Sequence, residues 1–373
     1  MIAQVLIAAS VAMIDGGPRR LWRPYEVLAD TDYIGAVAEV DSPQSFLREY
    51  PRLMPGLPMH CQTHPPGGVL FLWAIALLFG AGPVPAAWAT ILASSLAVPA
   101  VYLLARDVLD EPAARLAAGF FILSPSIVMF SATLLDAVFA VPIVWSVYFL
   151  WKARAWRPVL FGTLAGATGS VAAMMTFSAS FLGLWATAVF VLTALAERER
   201  ARNTLVALVA GAATFAAFYA ALYAWSGYDP LATLAEAMAG QKRIMAGRGH
   251  DSLRQDLHFA LANLVAFLFC AGVALAALWM RRVVRLLRGG GRSRDSLFAG
   301  SFVIALAIFD SAPLYTLEVE HIWLFLVPFL AIAAAAVAGG DKSGSDEQGV
   351  ARLALVLLAV QTVLMEVFLE TTW

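Results

Sequence analysis

The chain has 373 residues, 61% of them hydrophobic and 14% charged, with a formal net charge of −1. No soluble domain of this length needs so much apolar surface, so the composition places the chain among polytopic membrane proteins. It carries no concentrated basic stripe, which points away from a nucleic-acid partner. Its two cysteines, Cys61 in a loop and Cys270 in an apolar run, give no disulfide framework.

The first apolar run, Met1 to Ile14, lacks a basic n-region and a small-residue cleavage site. It reads as a short first membrane helix rather than a signal peptide, although a span needs roughly 20 residues. A long loop, 15–83, follows; it is polar, proline-rich and acidic at its start. Two stretches dominate it: Ala29-Asp30-Thr31-Asp32-Tyr33 and Thr63-His64-Pro65-Pro66-Gly67-Gly68. Val69 to Phe79 is apolar but would make only ~17 Å of helix, short of a ~30 Å bilayer core. Pro65-Pro66 suits its first turn and Gly80 its end. The spacing predicts a helix lying at the membrane interface.

Apolar segments then recur at roughly 84–105, 115–131, 136–151, 158–176, 180–196, 203–225, 258–280, 296–312, 321–338 and 350–369. With the first, the fold class is an all-α polytopic membrane protein of about eleven transmembrane helices, forming one domain over 1–373. Glycine-rich stretches at 289–291 and 339–349 read as flexible cytoplasmic linkers. No internal repeat and no soluble domain is visible.

Alternate loops hold Arg106 and Arg115; Lys152, Arg154 and Arg157; Arg198, Arg200 and Arg202; six arginines from Arg281 to Arg294; and Lys342 with Arg352. These are sixteen of the 25 Lys and Arg, and they mark the cytoplasmic side. The long loops 15–83 and 226–257 then face the periplasm or exterior of a cytoplasmic membrane. All five histidines, His60, His64, His250, His258 and His321, fall on that side. Counting the Val69 helix as a span would break this charge pattern.

Several external residues can carry chemistry. Asp30 and Asp32 precede Tyr33-Ile34-Gly35, which reads as a helix start. Its cap is read as Asp30 or Thr31; the alternative to a capping aspartate is a carboxylate general base facing an external cavity. Asp136 sits at the outer end of a helix pair, where an acid either marks the water interface or lines a polar cavity. His60, Cys61 and His64 have loosely metal-like spacing but no visible fourth ligand, so no metal site is assigned. His64 suits a hydrogen bond to a phosphate, with the following helix N-terminus beside it. Glu318-Val319-Glu320-His321 exceeds what anchoring by Trp323 requires. Lys242, Arg243, Arg248, His250 and Arg254 in loop 226–257 form either an amphipathic helix on the head groups or a cationic lid over a phosphate.

Together these features resemble the GT-C glycosyltransferases, in particular the bacterial relatives of protein O-mannosyltransferases and the aminoarabinose transferase of lipid A. Asp30-Thr31-Asp32-Tyr33 matches the family's first-loop acid followed by tyrosine. His64-Pro65-Pro66-Gly67 matches its His/Lys-Pro-Pro-Leu motif, with glycine in place of leucine. Asp136 matches its second-loop Pro-Asp at the acid only, since Leu135 stands where proline is usual. His321-Ile322-Trp323-Leu324-Phe325-Leu326-Val327-Pro328 parallels its late Arg-Tyr-Leu-Leu-Pro motif, with histidine replacing arginine. The resemblance covers most of residues 1–335.

That resemblance implies a polyprenyl-phosphate sugar as donor and an envelope glycan, lipid or protein as acceptor, at the bilayer surface. It implies one inverting displacement, with Asp30 as base and Asp32 as its substitute. Asp136 would orient groups around the base. His64, His321 and one of Lys242, Arg243 or Arg248 would hold the phosphate; Tyr33, Glu318 and Glu320 would contact substrate. No cofactor is required, and a divalent metal has no support in the ligand spacing. The competing reading, a transporter or flippase of a lipid-linked sugar, expects mid-membrane charges and repeats. Here the charges gather on one face.

Overall fold

A computed structural model describes residues 1–14, 16–245, 253–289, 293–312, 318–339 and 345–369, and the described residues hold helices and no strand. The chain opens with α1 (Ile2–Ala12). The first long connection carries α2 (Arg23–Val27), α3 (Pro43–Leu53) and 3-10 turns at Pro18–Leu21, Tyr33–Glu39, Met54–Gly56 and Met59–Gln62. It ends in α4 (Gly67–Phe79). Then come α5 (Pro83–Ser94), α6 (Ala97–Val108), α7 (Glu111–Leu123), α8 (Pro125–Phe130), α9 (Asp136–Ala153), α10 (Pro158–Met175), α11 (Phe181–Ala196) and α12 (Arg198–Ser226). The last third holds α13 (Pro230–Ile244), α14 (Leu253–Ala271), α15 (Val273–Leu287), α16 (Arg294–Ser311), α17 (Val319–Ile322), α18 (Val327–Ala338) and α19 (Ser345–Phe368).

The all-helical membrane class stands, but the eleven expected segments are not eleven unbroken helices. Among the described residues six helices are long and apolar enough to cross a bilayer, or seven if a bent pair counts as one. Pro125 splits segment 115–131 into α7 and α8, because proline cannot donate its backbone nitrogen to the helix ladder. Segment 258–280 breaks at Gly272, whose φ of 121° only glycine adopts readily, and α14 and α15 meet at a 118° bend. A break inside an apolar layer exposes backbone polar groups that must find partners within the protein. They do: Ser124 Oγ donates to the Ala271 carbonyl (2.7 Å), Gln361 Oε1 accepts from Val273 N (2.9 Å), and Gln361 Nε2 donates to the Phe269 carbonyl (2.8 Å). Of the expected linker 339–349, residues 345–349 open α19, and 340–344 lie outside the described residues.

Packing follows from small residues. A Cβ on Gly162 would come within 2.4 Å of the Ala207 carbonyl, and one on Gly166 within 2.3 Å of the Gly211 carbonyl. Those two glycines, four apart on α10, let α12 close onto it, since helix association between apolar helices rests on close van der Waals approach. In the interior, α18 is buried along nearly its whole length. The Phe329 ring stacks on Phe298 (5.3 Å) and Phe302 (4.7 Å). Asp107, Lys152, Arg154, Arg200 and Arg294 come together at the C-terminal end of α9. At its N-terminal end Asp136 meets α17, and α13 packs on the 15–83 connection.

Candidate active site

The stretch around Asp32 is set by local hydrogen bonds. The Leu28 carbonyl accepts from both Thr31 N (2.9 Å) and Asp32 N (2.7 Å), which curls the chain. Asp32, extended at φ −102° and ψ 166°, then caps the Tyr33–Glu39 turn by accepting from Tyr33 N. His60 N donates to the Thr31 carbonyl (3.0 Å), tying the Met59–Gln62 turn, just before the second conspicuous stretch, to the first. The His60 Nδ1 lies 3.8 Å from the Asp32 carboxylate, which is almost fully buried. Burial works to lower the His60 imidazole, but Asp32 beside it, with Asp136 and Glu318 further off, raises it above its ordinary value.

His64 is held differently. Its Nδ1 sits 3.1 Å from both the His60 carbonyl and Thr63 Oγ1. The buried Tyr50 hydroxyl lies 3.0 Å from the Cys61 carbonyl and 2.9 Å from that of His64, fixing the turn from beneath. Burial pushes the His64 imidazole down to about 4, so at neutral pH it is uncharged. The Tyr33 ring is the hub between these groups, with centroids 5.8 Å from His60, 5.8 Å from His64 and 5.6 Å from Phe139.

The glycines after Pro66 make this geometry possible. A Cβ on Gly67 would fall 2.3 Å from the Met174 carbonyl, and one on Gly68 would press on the Tyr33 and Phe139 rings at 3.0 and 3.1 Å. A leucine at Gly67 has no room, which accounts for the departure at that position. The first-turn amides of α4, which lack intrahelical acceptors, therefore start right beside His64.

The second half of the site comes from far along the chain. Asp136 is the first residue of α9, and its Oδ2 lies 3.1 Å from His321 Nδ1. His321 Nε2 is 3.9 Å from the Glu318 carboxylate, and Phe130 meets the imidazole edge to face at 5.5 Å. Glu318 has a left-handed backbone (φ 65°, ψ 17°), rare for a non-glycine residue and often met at functional sites. Asp136 also acts on His60 and His64. Three acids and three histidines thus form one buried or half-buried cluster.

The remaining expected residues lie around it. Asp30 is exposed and enters none of these pairs. Glu320 is half-buried one residue before His321. Helix α13 packs over the His60 turn, where a Cβ on Gly240 would sit 2.6 Å from the Gln62 carbonyl. Its Lys242 and Arg243 are exposed, and Arg243 pairs with Glu236 at 2.8 Å. Arg248 and His250 lie outside the described residues. Sequence reasoning missed the pairing of His60 with Asp32 and the clamp by Tyr50. The four-residue spacing of His60 and His64, read as metal-like, was the available signal; it closes a turn instead. Among the described residues no three His, Cys, Asp or Glu side chains converge as metal ligands.

The family model for dolichyl-phosphate-mannose-protein mannosyltransferases matches residues 63–225, a span that begins at Thr63-His64 and includes Asp136. No protein of curated function matches the sequence. By structure, the chain is similar to ArnT from Cupriavidus metallidurans bound to undecaprenyl phosphate, with a TM-score of 0.60 and 12% identity, covering 96% of this chain and 63% of that one. It is also similar to the oligosaccharyltransferase AglB from Archaeoglobus fulgidus in complex with an inhibitory peptide and a dolichol-phosphate, with a TM-score of 0.59 and 14% identity, covering 98% of this chain and 55% of that one. The same oligosaccharyltransferase in complex with Zn and sulfate aligns with a TM-score of 0.59 and 15% identity, covering 98% of this chain and 52% of that one. The chain spans less than two thirds of the length of these proteins.

Proposed function

We propose that this chain, whose fold is similar to those of ArnT and AglB, is a GT-C glycosyltransferase that transfers a sugar, with inversion, from a polyprenyl-phosphate donor to a hydroxyl of an envelope glycan, lipid or protein. The transfer takes place on the periplasmic or exterior face of a cytoplasmic membrane. The observation that carries this reading is the meeting of Asp32, His60, His64, Asp136, Glu318 and His321 at the end of α9 opposite Lys152 and Arg154. The lipid phosphates named with ArnT and AglB support the donor class.

Asp32 is the general base. Its position is fixed by the Tyr33 amide and by His60, whereas Asp30 is free in solvent. Asp32 takes the proton of the acceptor hydroxyl as that oxygen attacks the anomeric carbon. The bond from that carbon to the phosphate oxygen breaks on the opposite face, and its electron pair leaves with the lipid phosphate. This leaving group is a stable anion, so the site stabilises charge rather than supplying a proton. The α4 N-terminus and His321 take that role, with Lys242 or Arg243 on α13 or Arg248 beyond it; His64, uncharged, lines the phosphate and becomes a donor to it from Nε2 only when protonated. Asp136 orients His321, and Tyr33, Glu318 and Glu320 contact the sugar.

The test is transfer by purified protein in vesicles supplied with polyprenyl-phosphate hexoses or pentoses and an envelope extract. Release of polyprenyl phosphate that depends on Asp32 supports the proposal. Failure of every lipid-linked sugar, with movement of one across the bilayer instead, sinks it in favour of a flippase.

A further inference from the structure

The arginine-rich end holds a second cluster of charge that the transfer reaction does not use. A cavity of about 170 Å³ is lined there by Asp107, Trp151, Lys152, Arg154, Arg200 and Arg294. Helix α9 runs from Asp136 at one end to Arg154 just beyond its other end, about 27 Å away at 1.5 Å per residue. This cavity is therefore distinct from the site of transfer.

Arg154 is only 3% exposed, yet its Nε and Nη2 have no hydrogen-bond partner among the described residues. The guanidinium stacks on the Trp151 ring at 4.1 Å, which fixes its plane. Around it Lys152 pairs with Asp107 at 2.8 Å and Arg200 with Glu197 at 3.0 Å. Among the described residues Arg294 reaches the Asp107 carbonyl, at 3.3 Å, and no carboxylate. Four cations thus face two carboxylates, an excess of two positive charges. Burial, followed by the nearby Arg200, pushes the Arg154 guanidinium down to about 10, so it remains charged at neutral pH. A buried cation with unmade hydrogen bonds is costly unless an anion answers it.

We propose that this cavity binds a phosphate ester, held by the Nε and Nη2 of Arg154 and by Arg294. Arginine's planar fork matches phosphate oxygens. The volume suits a phosphate with a small substituent and is well below the roughly 300 Å³ at which pockets for larger ligands begin. Exposed apolar residues lie a few positions away, Trp156 at 51% and Val159 at 60% exposure. A lipid headgroup and a soluble phosphate ester both present the required chemistry.

The test uses the full chain in dodecyl maltoside micelles, which hold no phosphate. One arm adds glycerol 3-phosphate or inorganic phosphate in solution; the other adds phosphatidylglycerol to the micelles. A saturable rise in melting temperature is expected in at least one arm, and the responding arm identifies the source. Arg294→Gln, exposed in the first turn of α16, should fold normally and weaken that binding about tenfold or more. Arg154→Gln should abolish it where the protein folds, and Arg281→Gln, exposed and outside the cavity, should leave it unchanged. The proposal is overturned if neither arm gives saturation, or if Arg294→Gln binds as the unaltered chain does. Because the readout is binding at the arginine end, its failure leaves the glycosyl-transfer reading untouched, and the reverse also holds.

Discussion

Asp136 and His321 are 185 residues apart in sequence, and their side chains meet at 3.1 Å. The carboxylate comes from the first residue of α9 and the imidazole from α17, so the contact exists only when the bundle is assembled. Both groups are largely buried. Removing one leaves the other without its partner in a low-dielectric site, which costs more than the pair contributes. Asp136→Asn and His321→Ala should each lower kcat/KM by about 10- to 100-fold. Because the two act as a unit, the double variant should be no worse than the poorer single one. Multiplicative losses in that cycle would mean that the residues work independently.

The close approach of α4 makes a separate prediction about stability. Gly67→Leu restores the residue expected from the motif, yet its Cβ would sit 2.3 Å from the Met174 carbonyl. Backbone cannot yield as a flexible side chain does, so overpacking of about 1–3 kcal/mol is expected. Melting of the purified variant measures it. A Gly67→Leu protein as stable as the original would refute the contact. Gly183→Ala, where a Cβ meets nothing within 4 Å, is the control.

The sequence made the helical class, the two loop stretches and Asp136 legible, because apolar runs and isolated polar residues in them are strong local signals. The resemblance put Asp30 first as base and Asp32 second, and the residues themselves offered no ground for that order. Two residues apart in a turn, they differ only in what the rest of the fold brings to them: solvent for Asp30, and Tyr33 N with His60 for Asp32. The helix breaks were equally hidden. Gly272 reads as one more small residue in an apolar run until Ser124 and Gln361, more than 80 residues away on either side, answer the opened backbone. Nor could spacing reveal that Arg154 has unpaired hydrogens, since that depends on α6, α12 and α16 meeting around it.

Orientation is open to direct labelling. In a background with Cys61 and Cys270 replaced, Ser45→Cys and Lys242→Cys should react with an impermeant thiol reagent in intact cells. Arg288→Cys should react only after permeabilisation. All three positions are exposed, so access decides the result. Reaction of Arg288→Cys in intact cells would reverse the orientation and place the acid–histidine cluster in the cytoplasm.

His60 and His64 share one turn but should titrate with opposite consequences. The folded-state value of His60 is raised above its ordinary 6.5. Its pairing with Asp32 therefore stabilises the fold fully below about pH 6.5, and that contribution is lost as pH rises through the raised value. His64 is lowered to about 4. The unfolded chain then binds the extra proton first, so stability falls as pH drops from about 6.5 towards 4. Melting profiles should show His60→Gln losing most relative to the original chain at low pH and little at high pH. His64→Gln should instead flatten the acid-side decline. Identical pH profiles for both variants would contradict the two environments.

The sharpest prediction separates the two acids of the first loop. Asp32→Asn keeps an oxygen that can accept from Tyr33 N, so the cap and the turn survive. What it loses is the carboxylate facing His60 and the ability to take a proton. Transfer should fall by about 100-fold or more, the usual consequence of losing a positioned base, while expression and donor binding stay close to those of the original. Asp30→Asn alters an exposed side chain outside the cluster and should change kcat by less than about threefold. Should Asp30→Asn be inactive and Asp32→Asn active, the base is the exposed acid and Asp32 is only a cap. Full activity in both would remove this loop from the chemistry and leave Asp136 as the carboxylate to examine.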